Sequence, residues 1–121
     1  MSPWSRVSAV VLIAVVVCCP VDDVYAQSQP ECSDEKSHQF DFWIGDWEVY
    51  SGESLAGHNT IVPILDGCAL QETWQGTRGT AGSSFNLYHP QLGKWQQFWI
   101  WRNGTTLELE GGLQNGNMVL V

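Results

Sequence analysis

The 121 residues carry 13 acidic and five basic side chains, for a formal net charge of −8 at pH 7. One domain is the ceiling at this length, and so acidic a chain lacks the basic face that nucleic acid or an anionic membrane demands. Seven Trp and 12 Gly beside only 15% charged residues also exclude a disordered chain.

Residues 1–26 read as a signal peptide. Arg6 precedes an almost wholly apolar run from Val7 to Cys19, and Val24-Tyr25-Ala26 supplies the small-residue pattern of a cleavage site. The run is shorter than the roughly 20 residues needed to span a bilayer. Cys18 and Cys19 lack the small residue that normally precedes a lipid-attached cysteine, which leaves cleavage after Ala26. Residues 27–121 then form a single domain, exported to the periplasm or beyond. That domain retains Cys32 and Cys68. In an oxidising compartment such a pair is expected to form a disulfide rather than a redox or metal site. The bridge would close a loop of about 37 residues and stabilise by ~4 kcal/mol on the chain-entropy account.

After a short aromatic segment, Ser37 to Ile44, which could turn as one helix, the chain alternates short strands with turns. Asp46 to Tyr50 is the first strand, and Gly52 to Gly57 interrupts it. His58 to Leu65 follows, with Pro63 marking an edge or a bulge. Asp66-Gly67 fits a two-residue hairpin turn into Ala69 to Trp74. A loop with Gly76, Gly79 and Gly82 leads to Ser83 to Tyr88, and His89 to Gly93 turns into Lys94 to Arg102. Asn103-Gly104 and Asn115-Gly116 are hairpin signals that bracket Thr105 to Glu110 and deliver Met118 to Val121.

Seven strands with no connection long enough for a crossover helix predict an antiparallel up-and-down meander. Curling into a lipocalin-like barrel is the usual way for such a sheet to remove its edges. A Greek-key sandwich is the competing architecture. The apolar strand Met118 to Val121 has no polar cap, so further sequence or another subunit is expected to complete the sheet.

Two resemblances follow from particular motifs. Asp41-Phe42-Trp43-Ile44-Gly45-Asp46-Trp47 resembles the Asp-Phe-Trp-x-Gly-x-Trp opening of a family of bacterial exported proteins of unknown function. Ile64-Leu65-Asp66-Gly67-Cys68, Ser84-Phe85-Asn86 with Tyr88, and Gly93-Lys94-Trp95 with Gln97 and Trp99 are similar to that family's later blocks. More distantly, Gly45-Asp46-Trp47 resembles the Gly-x-Trp of lipocalin-like barrels, in which the Trp closes one end. The first resemblance implies no reaction. The second implies a barrel around a small ligand.

Alternation places Leu70, Glu72 and Trp74 on one strand face, and Trp95, Gln97, Trp99 and Trp101 on another. Turned inward with Asn86, these residues would line a concave aromatic site with a few orienting polar groups. The predicted ligand-binding set is therefore Glu72, Trp74, Asn86, Trp95, Gln97 and Trp99, and the expected partner is a small apolar or amphipathic molecule. A packed core competes with that reading, because a barrel of about eight strands can be filled by its own side chains. Phe98, Ile100 and Trp101 leave open a different function, a surface module for carbohydrate or protein, or a homodimer. No catalytic motif is present: neither a Gly-x-Ser-x-Gly elbow, nor a His-Glu-x-x-His helix, nor a phosphate loop occurs. His38, His58 and His89 stand singly, so no metal site is expected. None of them can be matched to the axial ligand of the heme-binding nitrobindin barrels, and no cofactor is expected.

Overall fold

The computed structural model describes residues 32–121, so the signal peptide predicted over residues 1–26 lies outside the described residues. Seven strands form one antiparallel sheet in sequential order: β1 (Gly45–Ser51), β2 (Ser54–Ile64), β3 (Ala69–Gly76), β4 (Ala81–His89), β5 (Lys94–Trp101), β6 (Thr106–Gln114) and β7 (Asn117–Leu120). The sheet curls into a half-barrel that stays open between β1 and β7. The expected antiparallel meander is present, curled into an open trough.

Turn chemistry explains most of the connections. Asn115 and Gly116 both have positive φ, 50° and 79°, the signature of a type I′ hairpin between paired Gln114 and Asn117. Gly104, at φ 86°, ends a three-residue loop in which Trp101 and Thr105 remain hydrogen-bonded. Three connections differ from expectation. The interruption predicted over Gly52 to Gly57 narrows to Gly52-Glu53, and β2 begins at Ser54. Ala56 is absorbed as a bulge where the register shifts between Val49 and Tyr50. The turn at Asp66-Gly67 is a four-residue connection between paired Ile64 and Ala69, with Leu65, Asp66 and Gly67 all at positive φ. Gly82, expected in a loop, lies within β4 opposite Trp74.

Pro63 sits in an interior strand, but β1 stops pairing at Gly45 opposite Ile61. Pro63 therefore lies beyond the end of β1, where a missing N–H interrupts no ladder on that side.

Two single-turn 3-10 helices, Glu35–His38 and Asp41–Trp43, close one end of the trough. Asp34 caps the first by accepting from the Ser37 N–H at 2.7 Å, and its hydrogen bonds with Ser37 hold its carboxyl below the ordinary range. A Cys32–Cys68 disulfide, with Cα atoms 5.0 Å apart, ties this segment to the β2–β3 connection as expected. Phe40 is thereby set into a core with Ile61, Leu70 and Trp95, against which Trp43, Tyr88, Met118 and Leu120 pack. Trp47 donates its indole N–H to the Trp43 carbonyl at 2.7 Å, joining β1 to the cap.

Candidate functional site

Register decides which side chains face the trough. Asn59 and Ile61 on β2 pair with Trp74 and Glu72 on β3, Glu72 with Ser84 on β4, and Asn86 with Gln97 on β5. Asn59, Ile61, Leu70, Glu72, Ser84, Asn86, Trp95 and Trp99 are all buried on this one face, while their immediate neighbours along each strand are more exposed. All six predicted ligand-binding residues lie on it. The five Trp residues on strands, Trp47, Trp74, Trp95, Trp99 and Trp101, share this register too.

Glu72 is the centre of a buried polar network. Asn59 Nδ2 donates to Oε1 at 2.7 Å, the Ser84 hydroxyl donates to Oε2 at 2.6 Å, and Gln97 Nε2 reaches the same oxygen at 3.4 Å. Asn86 Nδ2 donates to the Ser84 Oγ, and Gln97 Nε2 donates to Asn86 Oδ1, both at 2.8 Å. Every donor to the carboxylate is neutral, and both ion pairs among the described residues lie elsewhere. A buried carboxylate survives without a cation because several aligned donors replace the water it has lost.

The six sequence-predicted residues take four different places. Glu72, Asn86 and Gln97 join in the network. Trp95, 1% exposed, belongs to the packed core beneath it, with Phe40 edge-on at 5.6 Å. Trp74 turns toward the opposite end of the trough, its indole N–H 3.4 Å from the Thr80 hydroxyl. Trp99 borders the network and meets Trp101 edge-to-face at 4.8 Å. Asn59 and Ser84 complete the network and were not expected from sequence. Phe40 is buried, while Phe42, its ring centre 5.5 Å from that of Phe40, is 58% exposed.

A concavity of about 320 Å³ opens above Glu72 and Gln97. Phe40, Trp43, Trp99, Trp101 and Leu107 wall it. A larger hollow, about 520 Å³, lies between the β3–β4 and β5–β6 turns, walled by Gly79, Thr80, Ala81, Trp101, Arg102, Asn103 and Thr105. Only the first contains a buried carboxylate. Two polar atoms near it are buried and unpaired: Trp99 Nε1, on the ring edge that lies over Gly82, has no acceptor, and Asn59 Oδ1 has no donor. Such orphans cost about 1–3 kcal/mol each, and they persist where something else completes them or where function requires them.

Among the described residues no group of His, Cys, Asp and Glu side chains is placed to hold a metal ion. No helix among them is long and apolar enough to cross a membrane. The disulfide fits a protein exported to an oxidising compartment.

The fold and this face define a half-barrel compatible with a binding module. No family model matches the chain, and no curated protein or solved structure matches it either.

Proposed function

We propose that the protein is an exported, lipocalin-like binding module that holds a small amphipathic molecule over Glu72 on the concave face. The observation that carries this reading is a polar floor inside an aromatic wall. Glu72 and Gln97 offer polar atoms, and the surrounding Trp43, Trp99 and Trp101 rings offer apolar surface. A ligand donor could bond Glu72 Oε1, which has one donor now, while its apolar part would rest against Trp99, Trp101 and Leu107. The resemblance to the exported family with the Asp-Phe-Trp-x-Gly-x-Trp opening supports the same compartment, and with it cleavage of residues 1–26. No reaction is proposed.

Titration with 1-octanol, followed through the indole N–H resonances, tests the reading. A saturable shift at Trp99 supports it, and a shift that never saturates opposes it.

A second reading draws on the opposite face. Phe85 pairs directly with Phe98 there, at 42% and 39% exposure, with Leu87 and Ile100 beside them. Such an outward apolar strip suits a protein partner or a second copy. Light scattering on the protein and on a Phe98→Ser variant separates the two readings, since the strip has no part in octanol binding.

A further inference from the structure

We infer that the ligand of this site carries an organic cation, an alkylated ammonium seated in the corner that the Trp99 and Trp101 rings form above Glu72. The inference deepens the reading just proposed and rests on it.

Three features point to positive charge. First, Glu72 is an acid with only neutral partners, held within 2.6 and 2.7 Å of Ser84 and Asn59. Those donors fix the carboxylate without cancelling its charge. Glu72 lines the concavity, and Oε1, with Asn59 as its one donor, retains acceptor capacity.

Second, the wall is a corner of aromatic faces. Trp99 and Trp101 stand at 68° with centroids 4.8 Å apart, and Trp43, itself stacked on Phe40 at 4.6 Å, borders the same space. Indole has the most attractive face for a cation among side chains, and cages of this type recognise quaternary ammonium groups.

Third, nothing positive competes. No Lys, Arg or His lines the concavity. Arg102, the nearest basic residue in sequence, is directed to the Gly79 carbonyl at 3.5 Å, and Lys94 is paired with Glu110 on the other face. The chain as a whole carries a net charge of −8, which draws cations toward it.

Choline and 3,3-dimethylbutanol are a suitable pair of probes, because both keep the hydroxyl and the branched head while only choline is charged. Calorimetric titration should show choline binding at least about tenfold more tightly than its neutral isostere. Glu72→Gln should remove most of that preference, and Trp101→Ala should weaken choline more than the isostere. Circular dichroism on both variants shows whether either has lost its fold, and Trp101, 38% exposed, is the safer of the two. Equal binding of the two probes, with saturable octanol binding intact, overturns the cation and leaves the amphipathic site standing. Failure of both probes together with octanol overturns the site itself.

Discussion

The indole of Trp99 occupies the space that a side chain at Gly82 would need: a Cβ there would come within 2.8 Å of Trp99 Cε2 and 2.9 Å of the Ile100 carbonyl oxygen. Gly82 is thus a seat for the ring that borders Glu72. A tight glycine under an aromatic ring is a cross-strand device for pinning register and ring position in a sheet.

Gly82→Ala should therefore move Trp99 and destabilise the sheet by about 1–3 kcal/mol, as overpacking does in a close-packed interior. Gly112→Ala is the control, since a Cβ at that position meets nothing within 4 Å. Thermal melts of the two variants check the difference. Equal melting temperatures would mean that Trp99 is free to lean away.

Removal of the disulfide should loosen the cap. Cys32→Ser with Cys68→Ser, or reduction, removes the one covalent tie between the Phe40 segment and the β2–β3 connection. A lost stability of order 4 kcal/mol is expected for a loop of this length. Denaturant melts with and without reductant measure it. Mass spectrometry should find no free thiol at Cys32 or Cys68 in the native protein.

Glu72→Ala strands the groups that now serve the carboxylate. Asn59 Nδ2 and Ser84 Oγ would each lose a buried acceptor, at about 1–3 kcal/mol per unsatisfied group. Glu72→Gln should cost less, because one amide oxygen can still accept from Asn59. The order of the two melting temperatures tests the network as drawn.

Stability should also depend on pH through His38. Its Nδ1 lies 2.8 Å from Asp41 Oδ2, and its Nε2 lies 2.8 Å from the Cys32 carbonyl oxygen. Both partners are acceptors, so only the doubly protonated ring satisfies both. The hydrogen bond to Asp41 leads in raising the His38 pKa above its ordinary value of 6.5. For a raised pKa, the stabilisation is complete below the unfolded value and disappears as pH rises through the folded one. The melting temperature of the wild type should thus lose its lead over His38→Gln as pH rises above about 6.5. A constant difference between the two proteins across that range would show that the charge on His38 does not hold the cap.

The meander was legible because its turns are local. Asn115-Gly116 and Asn103-Gly104 announce positive φ in the sequence itself, and Leu107 and Leu109 alternate visibly with Glu108 and Glu110. The candidate face was legible in part for the same reason: alternation along β3 and β5 put Glu72, Gln97 and Trp99 on common faces. What stayed hidden depends on neighbours across strands. Gly57 reads as a strand breaker until its place beneath the Trp74 ring is known, where a Cβ would come within 2.6 Å. Asn59 and Ser84 read as ordinary polar strand residues until register sets them against Glu72. Asp66-Gly67 misleads because Leu65 also takes positive φ, which no local preference of leucine predicts.

The central claim is that the Glu72 concavity, not the rest of the surface, takes an amphipathic ligand. The indole N–H resonance of Trp99 reports on it most directly, because the Trp99 ring lines that concavity beside Glu72 and Gln97. On titration with 1-octanol the account predicts a saturable downfield shift of Trp99, with Trp101 responding and Trp47 at the β1 edge unchanged. Shifts spread equally over the exposed rings, with Trp99 still and no saturation, would contradict it.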